Sequence, residues 1–272
     1  MSVSFLVVPQ WQGSGSSRAM QLVDGAGAIA DDLPRASTTL IDVPLEAGDA
    51  EGTGILRHSS LTLVRERMEV AMAGLDGPVV TIGGDCGVDY AGIARAVMSG
   101  DTALVWLDAH ADANSPATSP SHAFHGMIVR SLVDDGVLAA DRIVLAATRS
   151  WDEAETEWVT EVGVRTADVD AVRAVSDLVE AVAATGATRV YVHVDLDVLD
   201  PGEIGGLGFP EPFGLSTAEL VAAIRALKER FDFAGGAITE YAPSSPEAVT
   251  DDMGTILRVL GALTSSRPAN PA

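Results

Sequence analysis

Two stretches decide how this chain is read: Leu104-Val105-Trp106-Leu107-Asp108-Ala109-His110-Ala111-Asp112 and Val190-Tyr191-Val192-His193-Val194-Asp195-Leu196-Asp197-Val198-Leu199-Asp200-Pro201. Each is a short apolar run that ends in acids. Alternate residues of an extended chain share one face. That spacing would aim Asp108, His110 and Asp112 at one point, and Asp195 and Asp197 at another. Carboxylates gathered this closely repel one another unless cations lie between them. The pattern therefore points to one or two divalent metals and to metal-assisted hydrolysis.

Working outward, β-branched runs alternate with longer Ala/Leu/Val/Arg/Glu segments. The runs predict strands at Ser4–Val8, Thr38–Ile41, Val79–Ile82, Ala103–Leu107, Arg142–Ala146, Val190–Val194 and Gly236–Thr239. Few of them show polar alternation, as expected of strands buried on both faces of a parallel sheet. Helices are predicted over Thr53–Ala73, Val88–Met98, His125–Asp135, Asp168–Ala184, Ser216–Arg230 and Asp251–Leu263, the fifth opened by the capping box Ser216-x-x-Glu219. Residues 10–37 are rich in Gly, Ser, Ala and Asp and read as a loop. The tail 264–272 reads as frayed. No composition break divides residues 1–272, so the expected architecture is a single α/β domain. It is a three-layer αβα sandwich with a mostly parallel central sheet. Ligands of such folds sit beyond the C-terminal strand ends, where both acidic clusters fall.

The 272 residues carry a formal charge of −22, with 16 Arg and the single Lys228. Nucleic acid and anionic membrane both need cationic patches, so neither is an expected partner. The single cysteine, Cys86, excludes an internal disulfide, and the cytoplasm is the default location. Residues 1–9 lack a basic leader and a long apolar run, so they read as a first buried strand.

Two further strand ends complete the pattern: Val79-Val80-Thr81-Ile82-Gly83-Gly84-Asp85-Cys86-Gly87 and Gly235-Gly236-Ala237-Ile238-Thr239-Glu240-Tyr241. Gly83-Gly84 permits a close backbone approach. Asp85 suits either a helix cap or a supporting role. With these blocks in order, the chain resembles the ureohydrolase family of arginases, agmatinases, formiminoglutamases and guanidino-acid relatives. The resemblance spans roughly residues 79–245. It implies a binuclear manganese centre, two Mn2+ per chain, bridged by Asp108 and Asp195. Asp112 and Cys86 would complete one position, and His110 and Asp197 the other. It also implies a cationic guanidino or amidine substrate attacked by a bridging hydroxide, with release of urea or formamide. Asp112 and His125 would handle protons, and Glu240 would hold the cationic group. Asn114 and Ser121 match positions that hold a substrate carboxylate, and Asp152 matches an acid that meets an ammonium. Relatives suggest a homo-oligomer.

Three residues depart from the family pattern. Cys86 stands where His is usual, Phe209 where Thr is common, and Ala123 where the arginase loop has Asn. A thiolate at position 86 admits Zn2+, Co2+ or Ni2+ beside manganese. Asn114 and Ser121 favour an arginine-like or guanidino-acid substrate over agmatine. His193 reads as core or support, His58 and His122 as solvated, and Asp200 as closing a turn. An aspartyl-nucleophile phosphatase would need a lysine at the strand ends, but Lys228 falls inside a predicted helix. A metal-dependent deacylase would normally lack the full set of acids. A degenerate, non-catalytic metal-binding relative is the alternative that Cys86 and Phe209 motivate.

Overall fold

The computed structural model describes residues 3–265. Eight strands form one sheet: β1 (Ser4–Val8), β2 (Thr38–Leu40), β3 (Val79–Gly83), β4 (Thr102–Leu107), β5 (Ile143–Ala146), β6 (Arg165–Ala167), β7 (Arg189–Asp195) and β8 (Asp232–Thr239). Their order is β2-β1-β3-β8-β7-β4-β5-β6, and every pairing is parallel.

Period-2 side-chain direction builds two cores. Ala103, Val105 and Leu107 of β4 point into one apolar cluster, and Leu104 and Trp106 into another. On the first face lie α1 (Gln21–Ala30), α6 (Val169–Arg173), α7 (Ser176–Ala183), α8 (Thr217–Arg230) and α9 (Pro246–Thr264). The second face is covered by α2 (His58–Met72), α3 (Asp89–Met98), α4 (Ile128–Asp134) and α5 (Glu153–Val162). This is the three-layer αβα sandwich that the sequence implied. Among the described residues no helix is long and apolar enough to cross a membrane.

Some elements differ from the sequence reading. Residues 10–37 contain α1, whose Leu22, Ala26 and Ile29 are buried. Gly25 interrupts its apolar pattern because a Cβ there would lie 1.9 Å from the Tyr241 carbonyl oxygen. The helix expected from Thr53 starts at His58, after Arg57 adopts φ 60°. The segment Asp168–Ala184 is two helices, broken at Val175 with φ 56°. The edge strand β6 and helix α5 were not anticipated. Helix α9 runs through Thr264, and residues 266–272, expected to fray, lie outside the described residues. Lys228 lies beside the start of β8, where its amine donates to the carbonyls of Ala262 (3.0 Å) and Ser265 (2.8 Å). That places it at the rim opposite the acidic clusters, out of reach of any phosphatase role.

The four motif-bearing strands, β3, β8, β7 and β4, are consecutive neighbours in the middle of the sheet. Their C-terminal ends therefore meet along one line, where the chain reverses its direction of strand addition.

Candidate metal centre

At the end of β4, Asp108 accepts from Trp106 Nε1 (2.9 Å) and from the His110 backbone N–H (2.6 Å). His110 Nδ1 lies 3.0 Å from Asp197 Oδ2 and 3.5 Å from Asp108 Oδ1. Asp112 reaches the same region by a different route from simple alternation. Its backbone turns left-handed, with φ 49°, and its carbonyl accepts from Val129. Non-glycine residues adopt that conformation at a cost of about 1 kcal/mol or more.

At the end of β7, Asp195 caps a single 3-10 turn by accepting from the Asp197 N–H at 2.8 Å. Asp197 Oδ1 accepts from the Ala109 N–H at 3.1 Å, tying β7 to β4. Arg149 secures this turn by donating to the carbonyls of Asp197 (2.8 Å) and Glu211 (2.8 Å). Beyond β8, Glu240 also turns left-handed, with φ 62°. Its N–H donates to the Gly84 carbonyl at 2.8 Å, and its Oε1 lies 3.2 Å from His125 Nδ1.

The Gly83-Gly84 pair does allow close approach: a Cβ on Gly84 would stand 1.6 Å from the Gln10 carbonyl oxygen. Asp85 both caps and supports, accepting from the N–H groups of Gly87 (2.9 Å) and Gly13 (2.9 Å) and from Gln10 Nε2 (3.1 Å). Cys86 is buried. Its Sγ lies 3.1 Å from Asp195 Oδ2, 3.2 Å from Thr239 Oγ1 and 3.5 Å from His193 Nε2.

Three ligand sets result: Asp108 with His110 and Asp197, Cys86 with Asp195 and Glu240, and Cys86 with Asp108 and His193. Within each set the donor atoms lie within 4.8 Å of one another. Asp112 belongs to none of these sets and stands beside them in a cavity wall. Electrostatics show what the centre lacks. Burial, reinforced by neighbouring acids, pushes Asp112 and Asp195 well above the carboxylate range, and Asp197 up to about 6. Burial and the same acids push the Cys86 thiol up. His110, although burial opposes its charge, is pushed up to about 12 by Asp108 and Asp197. Protons thus stand in for missing positive charge. Glu240 Oε2 is buried without a hydrogen-bond partner. Mixed O, N and S donors with an orphaned carboxylate oxygen fit a divalent cation.

A cavity of about 220 Å³ opens over the centre. His110, Asp112, His125, Asp195, Asp197 and Glu240 form its floor and sides, and Asn114, Ser121, Asp152 and Phe209 lie around them. Cys86 and Asp108 lie behind this surface and do not line it. Asn114 Nδ2 donates to Asp152 Oδ2 at 2.9 Å, and Ser121 Oγ pairs with Ser119 Oγ at 3.3 Å. The Phe209 ring stands 5.3 Å from that of His125. Trp151 and Glu155 also line the cavity, and no Arg or Lys does. A larger cavity of about 420 Å³ at the opposite rim, around Arg189 and Lys228, contains none of the motif residues. Sequence reasoning missed Asp89, whose carboxylate reaches His193 from the start of α3, and Arg149, whose distant contacts leave no local pattern.

Comparison with known proteins adds an independent line. An agmatinase of Chromobacterium violaceum is 32% identical over 198 residues, which span 69% of this chain and 58% of that protein. An N(omega)-hydroxy-L-arginine amidinohydrolase of Streptomyces lavendulae is 27% identical over 276 residues, covering 96% of this chain and 97% of that protein. The structure of the Entamoeba histolytica arginase, in complex with L-ornithine, superposes with a TM-score of 0.83 at 20% identity, over 96% of this chain and 98% of that one. The profile of the Arginase family matches residues 28–258, and the chain belongs to that family.

Proposed function

We propose that this protein hydrolyses a C–N bond of a linear guanidino or amidine cation in the cavity above the acidic centre. The observation that carries this reading is the placement of the His125–Glu240 pair, 3.2 Å apart, on the wall of the same cavity that Asp112, Asp195 and Asp197 line. Asp108, His110, Asp195, Asp197 and Cys86 would hold two cations, manganese by family resemblance. Bound there, divalent cations supply a water nucleophile at neutral pH. The remaining work falls to side chains. Asp112 orients the attacking water and accepts its proton. His125 donates from Nδ1 to Glu240 Oε1, and its Nε2 faces the Gly15 N–H at 3.3 Å. Burial opposes a charge on His125, but Glu240 raises its basicity, so it suits a proton carrier to the leaving amine. Glu240, at the cavity wall, pairs with the substrate cation. Agmatinase, N-hydroxyarginine amidinohydrolase and formimidoylglutamase names among the similar proteins support this reaction class. A homo-oligomer and a cytoplasmic location belong to the same proposal and rest on the resemblance.

One observation favours a second reading of the outer pocket. Asn114 gives an amide N–H to Asp152, so a substrate carboxylate would compete for it, and the cavity lining offers no Arg or Lys. A far end bearing an amine suits Asp152 better than a carboxylate does. Urea or formamide release should be measured with arginine, a guanidino acid, agmatine and a formimino compound, after loading with Mn2+, Co2+, Zn2+ or Ni2+. Faster turnover of carboxylate-bearing guanidines supports the Asn114–Ser121 subsite, and faster agmatine turnover supports the amine reading. Metal-loaded protein that turns over none of them defeats the proposal.

A further inference from the structure

His193 lies on β7 and is fully buried. Its ring stacks on Trp106 with centroids 3.4 Å apart and an interplanar angle of 2°. The same Trp106 donates to Asp108, so one side chain fixes both groups. His193 Nδ1 lies 2.8 Å from Asp89 Oδ2, and Asp89 is itself buried and accepts from the Tyr191 hydroxyl. A carboxylate acceptor holds the ring hydrogen on Nδ1 and leaves a lone pair on Nε2. Nε2 faces Cys86 Sγ at 3.5 Å and Thr239 Oγ1 at 3.4 Å. Sulfur and nitrogen bound to one tetrahedral ion, at about 2.3 and 2.0 Å, would be about 3.5 Å apart. Cys86, Asp108 and His193 place ligand atoms within 4.8 Å of one another, and Cys86 also belongs to a second such set with Asp195 and Glu240.

We infer that His193 Nε2 and Cys86 Sγ jointly hold the inner metal ion, with Asp108 or Asp195 beside them, and that Asp89 is the positioning residue for His193. This inference rests on the reading of the acidic cluster as a metal centre. It assigns the inner position to an ion that accepts sulfur, such as Zn2+ or Co2+, in preference to Mn2+. Cys86, His193 and Asp89 also have the order of a thiol–imidazole–carboxylate triad. A nucleophilic role fits them poorly, because Cys86 does not line the cavity.

The test uses the full chain loaded with Co2+. Two ions per chain and a near-ultraviolet thiolate-to-cobalt charge-transfer band are expected. His193→Gln should lose about one ion per chain and the band, while keeping the ion held by His110. Asp89→Asn should weaken the inner ion by about 10–100-fold. If His193→Gln fails to fold, the double variant Cys86→His/His193→Ser moves the imidazole to the end of β3. It should bind two ions without the band. Two ions with an unchanged cobalt spectrum in His193→Gln, or unchanged affinity in Asp89→Asn, overturns the inference. Absence of the band from the parent removes Cys86 from it. Failure of the broader reading looks different: the parent binds no ion, or Asp195→Ala keeps both.

Discussion

The outer and inner halves of the acidic centre are built on opposite principles. In the outer half, His110 sits between Asp108 and Asp197 with its side chain 29% exposed to the cavity. Those two acids hold it charged, so the outer half has its own counterion. The inner half joins Cys86, His193, Asp195 and Glu240, all 3% exposed or less. Its imidazole, His193, turns Nδ1 to Asp89 rather than to the acids of the centre, and one Glu240 carboxylate oxygen has no partner. Burial alone therefore does not create the demand for a metal. The demand comes from the balance of countercharges, which is met in one half and unmet in the other.

The strongest challenge to this contrast is Asp195→Ala, because Asp195 joins the ligand set of the inner half and borders the outer one. Both ions should be lost, with activity falling well beyond the ~10–100-fold typical of supporting groups. Elemental analysis showing full metal content in that variant would remove Asp195 from the centre. The next largest effect is His110→Asn, which should release the outer ion and keep the inner one, the reverse of His193→Gln. Loss of the same ion in both variants would mean that the halves are one site.

A third prediction uses pH. In the metal-free chain, burial pushes Asp85 up to about 7, and Asp108 and Asp197 push His110 up to about 12. Both groups bind protons more tightly folded than unfolded. The contribution of Asp85 is complete below about pH 4 and declines as pH rises through about 7. That of His110 is complete below about 6.5 and is lost only as pH rises toward about 12. Stability in a chelator, followed as melting temperature, should therefore fall between pH 5 and 9, with a free-energy slope of at most about 1.4 kcal/mol per pH unit per group. Added metal should reverse the trend at the acid end, since ligands must shed protons to bind. A flat chelator profile would show that protons do not substitute for cations here. The smallest effect is expected from Phe209→Thr, because the Phe209 ring meets the outer half only edge-on at His110, with centroids 6.4 Å apart. It should change KM a few-fold, by about 1 kcal/mol of lost apolar contact, and leave metal content unchanged.

Most of the layer architecture was legible because buried parallel strands and their acidic ends carry strong local patterns. Helix α1 was hidden by Gly25, a residue chosen for contact with Tyr241 rather than for helix formation. Alternation brought the right acids together for a reason that was only partly right. Asp112 arrives through a left-handed turn and Asp197 through a 3-10 turn, neither of which follows an extended period. His193 was read as core or support, and its carboxylate partner could not be found locally. Asp89 lies 104 residues away, at the start of α3, where an acid looks like ordinary helix-end chemistry.

Strand β8 is the last strand of the chain, yet it lies in the middle of the sheet between β3 and β7. This sets an order of assembly during synthesis. Strands β4 and β7 pair directly, so the outer ligands can meet before residue 232 emerges. Cys86 follows β3, and the Asp195 and His193 positions on β7 become its neighbours only when β8 is inserted between them. Until then the nascent chain exposes two open strand edges and an uncovered thiol, a slow and vulnerable stage for so non-local a topology. On the proposed two-ion reading, the outer ion would load first, and the inner ion would seal a fold otherwise already complete.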